Sequence, residues 1–386
     1  MGMGEWKEYK LGELGTVVTG KTPSLKNPED WGGDMFFVTP TDYRNYRKYV
    51  DGSERKLSDI GVKRLANKIL PPYSVLVTCI GSDMGKVVIT KDPCITNQQI
   101  NSIIPNESVD PHFLYYTLIN SYDVLRVMGG DGTAVPIVNK RDFENIKIEI
   151  PPLKEQKRIA SILSSLDDKI DLLYQENKTL EAMAETLFRK WFIEDAKEEW
   201  EDGIIADLID FNPHRKLSKG NKSPFLEMSN LNTSTYCPIT WRDREFMSGT
   251  KFINGDALLA RITPCLENGK TAYVDFLEEG QVGWGSTEFI VMRAKHGLHP
   301  FFSYIIAKYQ DFRSFAESCM AGSSGRQRVD INNLMNYEIK IPEKKVIDIF
   351  NHSINYMVTK MHNNNNEIYS LTQIQNILSF KLMNNE

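Results

Sequence analysis

Three short motifs place residues at catalytic spacings, and each lacks a residue that its chemistry requires. Gly269-Lys270-Thr271 matches the end of a phosphate-binding P-loop, but Pro264 stands where the loop needs its first glycine. Leu70-Pro71-Pro72-Tyr73 resembles the active-site loop of adenine methyltransferases, with leucine in place of the amide or carboxylate that bonds the target amino group. Glu338 and Lys340 have the spacing of metal-dependent nucleases, but no Pro-Asp pair precedes them. The sequence therefore predicts a chain without a catalytic centre of these three kinds.

A second group of residues has the chemistry to read DNA. Lysine and arginine neutralise phosphates, arginine pairs with guanine, and asparagine or glutamine pairs with adenine in the major groove. The candidates of the first half are Lys21, Thr22, Arg44, Arg47, Lys48, Lys86, Asn97, Gln98, Thr133 and Arg141. Those of the second half are Arg215, Lys216, Lys270, Arg326, Gln327 and Arg328.

Two stretches are the strongest DNA-binding candidates. Residues 43–49 alternate tyrosines with cations, and residues 325–328 combine two arginines with a glutamine after a Gly-Ser turn. Each candidate also has a structural interpretation: the first stretch as a solvated loop, and Asn97 with Gln98 as the cap of a strand.

These candidates lie in a chain that is written twice. Ile148-Glu149-Ile150-Pro151 recurs 191 residues later as Ile339-Lys340-Ile341-Pro342. Gly85-Lys86-Val87 is echoed by Gly269-Lys270-Thr271, in the same order along the chain. An internal repeat with drifting offsets predicts two copies of one domain whose loops differ in length.

Each copy ends in a long apolar repeat with alternating steps of four and three residues. This spacing is the a/d seam of a coiled coil, which neither helix can bury alone. The first helix contributes Leu163, Leu166, Ile170, Leu173, Asn177, Leu180 and Leu187. The second contributes Ile354, Met357, Met361, Asn364, Ile368, Leu371 and Leu378. We therefore predict that the two helices pair as an antiparallel coiled coil, in which the asparagines fix the register.

Composition is consistent with this organisation and excludes several classes. The 386 residues are 41% hydrophobic and 25% charged with a net charge of −5, as in globular proteins rather than disordered or fibrous ones. No apolar window is long enough for a membrane span. The five cysteines form no C-x-x-C pair, which indicates free thiols in the cytoplasm, and the histidines suggest no metal site. The predicted fold class is α+β, with two pseudo-repeated domains separated by the two helices.

The chain resembles the specificity subunit of type I restriction-modification systems over nearly its whole length. The most specific segment runs from Ile148 through Pro151-Pro152-Leu153-Lys154-Glu155-Gln156 into the first long helix. The opening Leu11-Gly12-Glu13-Leu14, the turn Gly20-Lys21-Thr22-Pro23 and Thr96-Asn97-Gln98-Gln99 are similar to the family as well. The second copy departs from it, because Pro342-Glu343-Lys344-Lys345-Val346 lacks the Leu-x-Glu-Gln run.

The resemblance implies a DNA-binding subunit that is not an enzyme. Target recognition domains would span residues 1–150 and 196–341, each reading one half of a bipartite duplex target, with conserved helices at 151–195 and 342–386. The helices would set the spacer and dock two methyltransferase subunits, and restriction/translocase subunits would join them. The chain itself would carry no cofactor, with S-adenosylmethionine on the methyltransferase partner. Two other hypotheses remain open: a coiled-coil assembly scaffold without sequence reading, and a nuclease acting through Glu338 and Lys340.

Overall fold

The computed structural model describes residues 5–24, 26–44, 46–81, 83–128, 137–231, 233–322 and 327–383. The chain divides into two compact units. The first unit contains residues 1–171 and 371–386, and the second contains residues 172–370. Each long helix contributes to both units.

The first unit is an α+β assembly built on short, apolar strands. Its strands are β1 (Lys7–Lys10), β2 (Gly15–Thr19), β3 (Trp31–Val38), β4 (Tyr49–Val50), β5 (Arg55–Leu57), β6 (Val75–Thr78), β7 (Val87–Thr90), β8 (Cys94–Thr96), β9 (Ile100–Pro105) and β10 (Lys147–Ile150). Its helices are α1 (Asp59–Arg64), α2 (Pro111–Asn120), α3 (Tyr122–Met128), α4 (Lys140–Glu144) and the first half of α5 (Leu153–Phe188).

Two sheets and one strand pair organise this unit. The larger sheet has the order β2-β9-β6-β7-β4, the smaller has the order β5-β3-β8, and β1 pairs with β10. β6 and β7 are buried throughout, as expected for β-branched runs at the centre of a sheet. Not every pair is antiparallel, since β3 with β8 and β4 with β7 run parallel.

The second unit repeats this plan. Its strands are β11 (Glu201–Ile204), β12 (Ile209–Phe211), β13 (Lys222–Leu226), β14 (Arg242–Glu245), β15 (Thr250–Phe252), β16 (Ala257–Ala260), β17 (Thr271–Tyr273), β18 (Gly283–Gly285), β19 (Phe289–Ala294), β20 (Met320–Ala321), β21 (Arg328–Val329) and β22 (Glu338–Ile341). Its helices are α6 (Ile205–Leu208), α7 (Phe302–Lys308), α8 (Gln310–Ser318), α9 (Ile331–Leu334) and most of α10 (Lys344–Met383).

The strand orders reproduce the internal repeat. β12-β19-β16-β17 matches β2-β9-β6-β7, β14-β13-β18 matches β5-β3-β8, and β11-β22 matches β1-β10. The parallel pair β3 with β8 also recurs, as β13 with β18. The sequence predicts one helix from Pro111 and one from Pro300, but each stretch forms two short helices, α2 with α3 and α7 with α8.

The helices α5 and α10 bury the predicted seam. α5 continues into a π-helical turn at Arg189–Glu194. Most seam positions are buried, and Leu166, Leu180, Leu187, Leu371 and Leu378 are half-buried.

The contacts within the second unit make the pair antiparallel. Asn364 donates to Asn177 Oδ1 at 2.9 Å. Fifteen residues after Asn177, in the π-helical turn that follows α5, Phe192 contacts Phe350, which precedes Asn364 on α10, at 4.9 Å between ring centroids. Within the first unit, Gln375 donates to Asp167 Oδ1 at 2.6 Å.

Candidate nucleic-acid interface

A polar turn of the first unit brings three of the predicted residues together. Thr22 Oγ1 donates to Gln98 Oε1 at 2.7 Å, and the Lys21 amide donates to the Thr96 carbonyl at 2.9 Å. Lys21 and Gln98 are exposed, whereas Asn97 is only 7% exposed and donates to Gln99 Oε1. The turn therefore presents a cation and an amide to solvent, and Asn97 is a correction: its amide holds the turn and does not face a ligand.

The aromatic and basic stretch at 43–49 is largely turned inward. Lys48 is 1% exposed, and its Nζ donates to Tyr116 Oη at 3.0 Å and Ser164 Oγ at 2.8 Å, with Asp167 3.7 Å away. Arg47 forms an ion pair with Asp171 of α5. The Lys48 prediction is corrected, because this cation is buried against α5, whereas Arg44 and Arg47 are exposed and stay predictions.

Electrostatics in this cluster reflect its burial. Desolvation lowers the pKa of Lys48, while the nearby Asp167 and Asp168 oppose that shift. Desolvation likewise raises the pKa of Asp171 in spite of Arg47. Burying a charged group costs free energy unless an opposite charge and hydrogen bonds compensate it. The cluster therefore fastens the first domain to α5.

The remaining candidates of the first unit differ in their availability. Lys86 forms a surface ion pair with Asp83 at 2.7 Å, a contact of the kind that contributes little to stability. Arg141 is exposed in the short helix α4. Thr133 lies outside the described residues.

Most candidate cations of the second unit already have protein partners. Arg215 donates to the fully buried Asp256 at 3.1 Å, and Lys270 Nζ donates to the Met228 carbonyl at 3.0 Å. Arg328 makes a bidentate ion pair with Glu288. Arg215 and Lys270 are half-buried, whereas Arg328 and Lys216 are exposed, and their proposed contacts with DNA stay predictions.

The last two candidates directly precede β21 in the sequence. Gln327 is half-buried beside β21, and its carbonyl accepts from the Thr263 amide at 3.2 Å. Arg326 lies outside the described residues. The exposed candidates that the structure describes are thus Lys21, Arg44, Arg47, Lys86, Gln98, Arg141, Lys216 and Arg328. Arg47, Lys86 and Arg328 among them form surface ion pairs.

Two amides that the sequence did not single out for this role hold the two domains to the long helices. Gln156 is 1% exposed; it accepts from the Asp110 amide at 2.9 Å and donates to the Ser108 carbonyl at 3.2 Å. In the second unit, Asn351 accepts from the His299 amide and donates to the Gly297 carbonyl, both at 2.7 Å. Gln156 belongs to the Leu-x-Glu-Gln run, but only the fold shows what its side chain binds.

The two residues of the nuclease hypothesis lie on β22. Glu338 is exposed on β22, and Lys340 pairs with Asp202 at 2.7 Å and donates to the Glu198 and Trp200 carbonyls. Within the described ranges, no group of three or more His, Cys, Asp or Glu side chains is arranged to hold a metal ion.

Comparison with known proteins decides the family. Residues 3–182 and 197–377 each match the type I restriction modification DNA specificity domain. The chain belongs to this family. It carries two copies of the specificity domain, and the copies coincide with the repeat seen in the strand orders.

Individual relatives agree with this assignment. The MjaIX specificity subunit of Methanocaldococcus jannaschii is 34% identical over 209 residues, which cover 53% of this chain and 48% of the relative. The HindI specificity subunit of Haemophilus influenzae is 35% identical over 192 residues, covering 47% of this chain and 40% of the relative. These alignments span less than half the length of either relative.

A solved structure shares the fold. The type I restriction-modification S subunit from M. genitalium aligns with a TM-score of 0.58 at 14% identity, over 98% of this chain and 96% of that one. Among the described residues, no helix is long and apolar enough to cross a membrane.

Proposed function

We propose that this chain is the DNA specificity subunit of a type I restriction-modification system. Each specificity domain reads one half of a bipartite duplex target, and the paired helices set the gap between the halves. The observation that carries the proposal is the double match to the DNA specificity domain, with a long helix at the end of each copy. In this proposal the chain is not an enzyme and carries no cofactor.

The proposed division of labour follows the predicted boundaries. Recognition belongs to residues 1–150 and 196–341, and the helical segments 151–195 and 342–386 serve as spacer. The buried seam supports the spacer role, because helices paired along their length hold a fixed distance. The exposed residues of the first domain's turn, Lys21 and Gln98, are suited to phosphate and adenine contacts respectively.

Two methyltransferase subunits are the proposed partners of the helices. α10 keeps large apolar side chains on its surface, which supports a role in docking other proteins. They are Ile349, Tyr356, Tyr369, Ile374, Ile377 and Phe380. In this assembly S-adenosylmethionine is bound by the methyltransferases, restriction/translocase subunits join for cleavage, and the complex acts in the cytoplasm.

A map of methylated adenines tests the proposal. Cells making this chain with the neighbouring methyltransferase should methylate a split motif with a fixed gap, and cells without the chain should not. Removing one matched heptad from each helix shortens the pair by about 10 Å, so the gap should change by about three base pairs with both half-sites retained. Methylation that is independent of the chain would favour the scaffold hypothesis.

A further inference from the structure

The sheet β5-β3-β8 of the first unit and the sheet β14-β13-β18-β15 of the second each end in an edge strand that presents arginine to solvent. In the first unit this strand is β5, and in the second it is β14. Arg55 lies opposite Phe37 of β3, and Arg242 lies opposite Phe225 of β13. Since β3 and β13 each run parallel to the next strand of their sheet and antiparallel to the edge strand, β5 and β14 occupy equivalent edges in the repeated fold.

Each of these edge strands also carries a cation stacked on an aromatic ring of the neighbouring strand. The Arg55 guanidinium carbon is 3.5 Å from the centre of the Trp31 ring. In β14 the stacked arginine is Arg244, 4.5 Å from the Phe225 ring and 2.9 Å from Glu227, and Arg242 lies beside it on the same strand. Lys56 Nζ lies 5.5 Å from the Phe36 ring. A guanidinium stacked on a ring is oriented but keeps its N–H groups at the edge, where they remain able to bind an acceptor.

Arg55 and Arg242 are also available, unlike most of the loop cations. Both are exposed, and neither guanidinium is paired with a carboxylate within the part of the chain that the structure describes. In β14, alternation places Arg242 and Arg244 on one face and Asp243 with Glu245 on the other. The second face is partly neutralised, because Lys222 is the register partner of Glu245.

We propose that β5 and β14 are equivalent DNA-contacting edges, one in each recognition domain, with Arg55 and Arg242 bound to the duplex. This inference rests on the proposed function and names the surface that performs it. A strand edge is narrow enough to enter a major groove. An arginine fork fits a phosphate or the O6 and N7 atoms of guanine. Two domains with one ancestral plan would then approach their half-sites with the same strand.

The test uses the full chain with the variants Arg55→Gln and Arg242→Gln. Each is expressed with the neighbouring methyltransferase, and the purified wild-type and variant chains are titrated with a duplex carrying the mapped motif. Arg55→Gln should weaken binding about tenfold and relax one half-site only, and Arg242→Gln should do the same at the other half-site. Loss of base preference would indicate contact with a base, and uniform weakening with a shallower salt dependence would indicate a phosphate contact; both outcomes support the surface.

Controls separate this surface from general charge and from folding. Lys147→Gln removes an exposed cation from β10, whose partner is Glu8, and should leave binding unchanged. All variants should retain the wild-type thermal midpoint. Equal losses in all three variants, or unchanged affinity in both arginine variants, would overturn the proposal.

Two further outcomes are distinguishable. Charged residues also protect sheet edges from aggregation, so aggregation of Arg55→Gln with normal DNA affinity would assign Arg55 to that protection and overturn its proposed role. Absence of bipartite methylation with the wild-type chain would refute the proposed function and this inference together. Bipartite methylation that both variants preserve would refute the inference alone.

Discussion

The two domains are fastened to their helices by the same kinds of contact made with different residues. In the first unit, Gln156 binds the amide of residue 110 and the carbonyl of residue 108; in the second, Asn351 binds those of residues 299 and 297. The bound backbone positions differ by 189 residues, but the amides differ by 195. The same backbone contacts are therefore made from a position six residues further along the second helix. The two units repeat the geometry of the contact and not its position in the sequence.

In a second contact common to both units, a tyrosine and a lysine of the domain surround a carboxylate of α5. Asp167 receives Tyr116 and lies 3.7 Å from Lys48, whereas Glu181 receives Tyr304 and Lys308. Lys48 comes from a distant loop and is 1% exposed; the Lys308 side chain is 30% exposed and lies one turn after Tyr304. Burial lowers the pKa of Lys48, but for Lys308 the effect of burial is outweighed by Glu181 and Glu185, which raise its pKa.

The largest predicted effect is the loss of Lys48. Lys48→Ala should lower the free energy of unfolding by about 3 kcal/mol, because it removes a buried cation that bonds Tyr116 and Ser164 and leaves Asp167 without that charge. Lys308→Ala should cost about 1–2 kcal/mol, since the Lys308 side chain is 30% exposed and water screens part of its charge. Urea denaturation at pH 7 measures both, with the exposed Lys147→Ala as the control. Equal losses at positions 48 and 308 would remove burial as the difference between the two clusters.

The amide contacts should differ in the same direction by a smaller amount. Gln156→Ala removes a buried side chain, leaves the half-buried Asp110 amide without that acceptor and should cost about 2 kcal/mol. Asn351 is half-buried and its bond to the Gly297 carbonyl is exposed, so Asn351→Ala should cost less than about 1 kcal/mol. Urea denaturation measures the two stability losses, and hydrogen exchange of the Asp110 and His299 amides shows how far each loses protection. An equal rise in exchange at both amides would contradict it.

The pattern of residues predicted the repeat and the seam because both depend on local periodicity. A single offset placed Asn177 and Asn364 at core positions, and the structure joins them by a hydrogen bond. The same offset pairs Gln156 with Ile347, not Asn351, because the helical and globular segments drifted independently. The equivalence of Gln156 and Asn351 depends on which backbone groups they bind, and no local sequence pattern reveals it.

The sequence could not predict which cations are buried and which are exposed. Tyrosines alternating with cations in residues 43–49 fit a DNA-binding loop and a buried fastening equally well. The partners that decide between them, Asp167 and Asp171, lie more than a hundred residues away. In β14, Arg242 and Asp243 are neighbours in sequence, but strand alternation places the two side chains on opposite faces.

The smallest predicted effect on stability concerns a histidine of the second unit, and it depends on pH. His362 Nδ1 lies 3.5 Å from Asp275 Oδ2, which also accepts from Tyr236 at 2.7 Å, and the hydrogen bond to Asp275 raises the pKa of His362 above 6.5. A raised folded-state pKa means that this stabilisation is complete below about pH 6.5 and disappears as the pH rises through the folded-state value. His362→Gln should therefore lower the free energy of unfolding by less than about 1 kcal/mol at pH 5.5 and have no effect at pH 8.5. His352→Gln, an exposed change on the same helix, serves as the control, and a pH-independent loss in His362→Gln would show that packing rather than charge holds this contact.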